Sequence, residues 1–142
     1  MILLNDIGIS KDAIKGALLG HKIRPTSQRV EIARVLLCEP QHLSADQVLS
    51  RVNAQRPLVS KATVYNTLNL FAERGLIRQV IIDSGKVFYD SNTDNHHHLY
   101  NEDTGMLQDI AACTLKLDSM PTLPEGTVGT GVDVIIRVRN KP

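Results

Sequence analysis

The chain is poor in aromatic residues and in cysteine. Of its 142 residues only 4% are aromatic, and none is Trp. The two cysteines, Cys38 and Cys113, are not spaced as a Cys-x-x-Cys pair. These absences exclude a disulfide framework and a zinc site built from thiolates as the basis of the fold.

Long apolar runs are absent as well. No stretch reaches the ~18 uncharged apolar residues that a membrane helix needs. The apolar residues 1–4 are followed at once by Asn5 and Asp6, which leaves them too short for the core of a secretory signal. The sequence therefore predicts a cytoplasmic protein without a membrane partner.

The charge is nearly balanced overall but unevenly distributed. Residues 1–90 hold twelve Lys/Arg and eight Asp/Glu, a net charge of +4, whereas residues 91–142 hold four and seven, a net charge of −3. A basic first half indicates that this half contacts a polyanion. The length fits one ordinary domain or two small ones.

The first half has the pattern of four short helices followed by a β-hairpin. Polar residues that can cap a helix precede each apolar stretch of helical spacing, and the third cap is followed by Gln47 as in a capping box. Ser10 and Ser44 are the candidate caps of the first and third helices, Pro25 and Thr26 open the second, and Ser60 starts the fourth. Strand-forming residues 80–82 and 86–89 flank an Asp-Ser-Gly turn. This order is typical of a winged helix-turn-helix domain whose fourth helix enters the DNA major groove.

The fourth helix has a polar face suited to DNA. Lys, Ser and Thr side chains bind phosphates, Asn matches an adenine edge, and a Tyr ring contacts a thymine methyl group. A solvated helix surface would look similar, so the interpretation depends on the surrounding elements. The candidate DNA-binding residues on this helix are Ser60, Lys61, Thr63, Tyr65 and Asn66.

Three consecutive histidines, His96, His97 and His98, indicate a metal or haem site. On an extended strand His96 and His98 lie on one face and His97 on the other. Asp90 and Asp109 offer oxygen ligands nearby in the sequence. A polar loop or a tag-like run is the alternative, although a tag would lie at a terminus.

The second half predicts a small sheet. Residues 98–100, 106–110 and 133–139 have strand character, and the Pro and Gly residues of 119–131 disfavour a long helix. Three strands are marginally stable alone, so we expect a homodimer. The predicted fold class is α+β, with a winged helix-turn-helix DNA-binding domain over residues 1–90 and a β-rich dimerisation and metal-sensing domain over 91–142.

Taken together, these motifs resemble the ferric uptake regulator family, and in particular its iron response regulators and peroxide-responsive repressors. The resemblance is carried by residues 24–29, 42–48, 60–68 and 75–77, by the histidine run, and by Gly105 followed by Asp109. It implies a dimeric, metal-dependent repressor of an AT-rich inverted repeat, with Arg24 joining the DNA-binding residues. It also implies one regulatory Mn²⁺ or Fe²⁺ site per subunit. The implied ligands are His42, Asp90, His96, His98 and Asp109.

The chain departs from the family pattern at two places. Asn101 and Thr104 occupy the positions of the family's first Cys-x-x-Cys pair and no later pair exists, so no zinc bound by cysteine is expected. Asn66 stands where the family commonly has Arg.

Several functions remain open from the sequence. The shortened second half favours a sensor of iron or haem status, with His96, His97 and His98 as candidate haem ligands, and a peroxide sensor is the alternative. A small metalloenzyme is a distant possibility because the five ligands could activate water. A metal carrier would not need the DNA-binding helix. We therefore expect a regulator, not an enzyme.

Overall fold

The computed structural model describes residues 10–142, and the chain divides after Thr93 into two compact units. The sequence predicted a boundary between residues 90 and 91, slightly earlier. The apolar residues 1–4, considered above as a signal core, lie outside the described residues. Within residues 10–142, no helix combines the length and the apolar character required to cross a bilayer.

Residues 10–93 of the first unit contain four helices, and each begins next to the residue predicted to open it. They are α1 (Lys11–Gly20), α2 (Ser27–Leu37), α3 (Ala45–Val52) and α4 (Lys61–Glu73). Every cap hydroxyl accepts a backbone N–H from the first turn, and Ser44 and Gln47 form a complete capping box. The helices bury one apolar core whose fully enclosed side chains include Ile14, Leu18, Leu36, Val48, Leu68 and Phe71.

A three-stranded sheet completes the first unit. The predicted hairpin is present as β2 (Arg78–Asp83) and β3 (Lys86–Asp90). A further strand, β1 (His42–Ser44), pairs antiparallel with β3, so that the order is β1-β3-β2. The sequence predicted no strand here, because three residues are too few to show alternation.

The second unit contains the other three-stranded sheet. Strands β4 (His96–Asn101) and β5 (Leu107–Ala111) form an antiparallel hairpin, and β6 (Ile135–Val138) pairs with β4 in parallel. Parallel neighbours require a crossover of a dozen or more residues. Here the connection includes β5, which returns the chain to the end where β4 begins, and residues 115–134 then lead to β6 without any helix, as the Pro and Gly content predicted. Strand β4 begins earlier than expected, and β6 is shorter than the predicted 133–139.

Together the two units confirm the α+β class with a winged helix-turn-helix unit followed by a β-rich unit.

Candidate metal centre

In the first unit, strand pairing brings His42 and Asp90 together. These residues are direct partners in the β1–β3 ladder. The Nε2 atom of His42 lies 3.6 Å from Oδ2 of Asp90, and the two side chains are 15% and 1% exposed. This histidine–carboxylate arrangement is called the His42–Asp90 pair below.

The carboxylate of Asp90 is oriented by its own chain. Its Oδ1 atom accepts the backbone N–H of Asn92 at 2.9 Å, which leaves Oδ2 directed at His42. A buried carboxylate is costly unless hydrogen bonds and positive charge compensate for the lost water. The His42–Asp90 pair is therefore suited to hold a cation.

In the second unit, two histidines of β4 converge on one carboxylate oxygen of β5. His98 lies opposite Asp109 in the ladder. Oδ1 of Asp109 is 3.2 Å from Nε2 of His96 and 3.4 Å from Nε2 of His98. The two imidazole rings lie 4.6 Å apart, inclined at 62°. We call these three residues the His96–His98–Asp109 triad.

A hydrogen bond determines the tautomer of His96. Its Nδ1 atom lies 2.5 Å from the carbonyl oxygen of Asp94. Because a carbonyl only accepts, Nδ1 must carry the proton, and in the neutral ring Nε2 is left with a lone pair. That lone pair meets a carboxylate oxygen, so the two acceptors repel each other unless a proton or a metal ion lies between them. The triad therefore fits a cation held by nitrogen and oxygen ligands.

His97 makes neither of these contacts. Its Nδ1 atom accepts the backbone N–H of Val134 at 3.2 Å, and its side chain is buried. The predicted alternation along the strand is thus confirmed, and His97 has a structural role in joining β4 to the segment before β6.

The positions of the family's first cysteine pair have another role in this chain. The Oδ1 atom of Asn101 accepts the backbone N–H groups of Asp103 and Thr104, and its Nδ2 donates to Asn140 at 2.8 Å. Gly105 completes the turn with a φ of 73°, which glycine adopts without strain. Side-chain hydrogen bonds thus stabilise the β4–β5 turn.

The candidate DNA-binding residues surround the start of α4. Ser60 caps this helix, Lys61, Tyr65 and Asn66 are exposed, and Thr63 is half-buried. The hydroxyl of Ser60 donates to that of Thr63 at 2.9 Å. Arg24 is also exposed, just before α2.

The sequence reasoning missed Asp46, an exposed residue in the first turn of α3. Its Oδ1 atom lies 3.9 Å from Nζ of Lys61 and accepts the hydroxyl of Tyr65 at 3.4 Å. Lys61 also lies 5.8 Å from the centre of the Tyr65 ring. Only the packing of α3 against α4 reveals these contacts, because Asp46 by itself is an ordinary first-turn acid.

The first unit is thus a winged helix-turn-helix unit, and the second carries a histidine–carboxylate cluster. The sequence pattern of the ferric uptake regulator family matches residues 20–123, and the chain belongs to this family. Its sequence is 33% identical over 88 residues to the peroxide-responsive repressor PerR of Staphylococcus aureus, strain Mu50 / ATCC 700699. That match covers 62% of this chain and 60% of PerR, so it spans about three fifths of the relative's length.

Solved structures show the same fold. The ferric uptake regulator from Francisella tularensis with iron has 26% sequence identity and a TM-score of 0.68, covering 84% of this chain and 92% of that one. The ferric uptake regulator from Pseudomonas aeruginosa with manganese has 23% identity and a TM-score of 0.67, covering 90% and 98%. The similarity to the Pseudomonas aeruginosa structure is one of fold alone.

Proposed function

We propose that the protein is a metal-dependent transcriptional repressor that binds DNA as a homodimer. The observation that carries the proposal is the His96–His98–Asp109 triad, in which the proton on Nδ1 of His96 directs a lone pair at a carboxylate. A winged helix-turn-helix unit in the same chain supplies the DNA-binding function.

The regulatory ion would be held by both units. We propose that the His42–Asp90 pair and the His96–His98–Asp109 triad bind one ion per subunit. Three imidazoles and two carboxylates suit Mn²⁺ or Fe²⁺, with Zn²⁺ as a tighter competitor. The Francisella tularensis relative, whose structure is described with iron, supports this choice. No zinc bound by cysteine is expected.

The placement of the ligands explains how metal controls DNA binding. The His42–Asp90 pair belongs to the DNA-binding unit and the triad to the second unit. The bound ion supplies positive charge that both sets of ligands share. Metal would therefore favour an arrangement of the units in which all five ligands are satisfied, and we propose that this arrangement spaces two recognition helices for DNA. Metal control would thus arise from a difference in metal affinity between two arrangements of the units.

The expected partner is double-stranded DNA containing an AT-rich inverted repeat. The two-fold symmetry of a dimer matches the symmetry of such a repeat. The β-rich unit would supply the dimer contact. Since a repressor acts on the chromosome, we expect it in the cytoplasm.

We propose iron or haem status as the effector, with peroxide as the alternative. Similarity to PerR favours peroxide, as does a site of nitrogen and oxygen ligands. Haem ligation by the histidine run is less well supported, because His96, His97 and His98 are only 4%, 6% and 1% exposed. A catalytic role is not proposed, because the relatives are regulators.

Two measurements test the proposal. Mn²⁺ binding to chelator-stripped dimer should be lost in His96→Ala and Asp109→Ala, together with the metal dependence of DNA binding.

For the effector, haem is added and the absorption spectrum recorded. Separately, Fe²⁺ and peroxide are added, and mass spectrometry looks for an extra oxygen on His42 or His96. Metal-independent binding to DNA by the unaltered protein would overturn the proposal.

A further inference from the structure

The residues on either side of the His42–Asp90 pair are bonded to each other. Gln41 precedes His42, and Ser91 follows Asp90. The backbone N–H of Ser91 donates to the carbonyl of Gln41 at 3.1 Å. In return, the backbone N–H of Gln41 donates to the hydroxyl oxygen of Ser91 at 3.1 Å. The β1–β3 ladder therefore continues one residue beyond the His42–Asp90 pair, with a side-chain hydroxyl in the place of a backbone carbonyl.

The hydroxyl of Ser91 is buried and engaged on both sides. Besides accepting from Gln41, it lies 3.2 Å from the carbonyl oxygen of Glu39, to which it can donate. Removing this oxygen takes a partner from a half-buried N–H group at the point where β1 begins. Such a loss is more costly than that of a solvated bond, so the strand that carries His42 would loosen.

The side chain of Gln41 joins the same strand to two helices. Its Nε2 atom donates to the carbonyls of Val35 and Leu36, in the last turn of α2, at 2.6 and 3.2 Å. Its Oε1 atom accepts from Nη1 of Arg51, on α3, at 3.0 Å. Gln41 thus bonds to the end of α2 and to the first helix of the helix-turn-helix pair while its backbone holds the next residue, His42.

We propose that Ser91 and Gln41 are positioning residues of the regulatory metal site. Ser91 keeps His42 and Asp90 in register, and the Gln41 side chain transmits the position of that strand to α2 and α3. Neither residue is a metal ligand in this scheme, since each acts through the ligand next to it. The inference rests on the proposed function because its readout is metal binding and metal-dependent DNA binding.

The role of Ser91 is tested by Mn²⁺ titration of the full-length dimer. Ser91→Ala should weaken Mn²⁺ binding about 10-fold, at the lower end of the range for partners that orient metal ligands from outside the ligand shell. Ser91→Thr keeps the hydroxyl and should stay within about 2-fold of the unaltered protein. Ser50→Ala, at an exposed serine of α3, is the matched control. Circular dichroism and binding to random DNA should be unchanged in all three variants.

Two outcomes would overturn the role of Ser91. One is Mn²⁺ binding by Ser91→Ala at the strength of the unaltered protein. The other is an equal loss in Ser91→Ala and Ser91→Thr, since the hydroxyl would then not be the group that matters.

The role of Gln41 predicts a different result. Gln41→Leu keeps the backbone bonds to Ser91 but removes the side-chain bonds to both helices. Mn²⁺ affinity should therefore change less than about 3-fold, whereas the ratio of DNA affinities with and without Mn²⁺ should fall about 5-fold or more. Gln55→Leu, at an exposed glutamine, controls for the added apolar group. An unchanged ratio, or a loss confined to Mn²⁺ affinity, would contradict the transmitting role.

Measurements on the unaltered dimer distinguish a failure of the proposed function from a failure of the roles proposed for Ser91 and Gln41. If it fails to bind Mn²⁺, or binds DNA equally with and without it, the proposed function is wrong. If it passes both tests and the variants behave like their controls, only the roles of Ser91 and Gln41 are wrong.

Discussion

His96 and His97 are adjacent on β4 but should have different roles, one in metal binding and the other in stability. Replacing each with alanine should distinguish these roles. His96 contributes Nε2 to the proposed metal site, and its Nδ1 is held by Asp94. His97 instead accepts the N–H of Val134. His96→Ala should therefore impair metal binding, whereas His97→Ala should impair the stability of the second unit.

The magnitudes follow from these contacts. Because partners outside the ligand shell alone alter metal affinity by about 10–100-fold, loss of the ligand His96 should weaken Mn²⁺ binding by at least about 10-fold. His97→Ala removes the acceptor from a half-buried N–H and truncates a buried ring, which should cost about 1–2 kcal/mol of unfolding free energy. Its Mn²⁺ affinity should stay within about 3-fold of the unaltered protein, since no ligand is lost.

A third variant makes the test sharper. In His97→Asn the amide oxygen is as many bonds from Cα as Nδ1 of His97, so it can accept the same N–H and recover about 1 kcal/mol of the loss. Urea denaturation of metal-free protein measures the unfolding free energy, and hydrogen exchange at Val134 and β6 reports the local effect. The reasoning is refuted if His97→Ala weakens Mn²⁺ binding as much as His96→Ala does while leaving stability unchanged.

Three further predictions concern DNA binding and alkaline stability. Tyr65→Ala should cost about 1–3 kcal/mol on the operator and much less on random DNA, measured by fluorescence anisotropy, and an equal loss on both would leave Tyr65 a packing residue. Asp46→Asn removes a negative charge near Lys61 and should tighten binding to random DNA at low salt, whereas Asp118→Asn in the second unit should not. Burial raises the pKa of Tyr89, so the unfolded chain loses this proton first and unfolding free energy should fall as pH rises above about 10. Tyr89→Phe should flatten that decline in urea titrations, and an unchanged slope would contradict the assignment.

Local patterns were strong enough to predict the helices of the first unit. Caps such as Ser44 with Gln47 depend on residues three apart, and the apolar stripe of each helix repeats every few residues. The hairpin of β2 and β3 is equally local, because its Asp-Ser-Gly turn lies between two short strand-forming runs. The alternation of the histidine run also follows from strand geometry, without knowledge of the partner strands.

The candidate site was predicted less completely, because its side chains depend on contacts between distant segments. The resemblance to the family suggested His42 and Asp90 as ligands, but only the pairing of β1 with β3 makes them neighbours in the ladder. Strand β1 escaped prediction because three residues are too few to show a period.

The sequence by itself determined the classes and order of the elements other than β1, the absence of a cysteine pair, and, through the family resemblance, the candidate metal ligands. Tertiary structure decided which side-chain atoms of those residues can face a metal ion and which are engaged in hydrogen bonds. The carbonyl of Asp94 accepts a hydrogen bond from Nδ1 of His96 and so fixes the position of its proton. Nδ1 of His97 accepts the N–H of Val134. The hydroxyl of Ser91 accepts the N–H of Gln41, next to the proposed ligands. Each decision is a hydrogen bond to a backbone group or a neighbouring strand, and such bonds depend on how the folded chain brings these groups together rather than on the residue type alone.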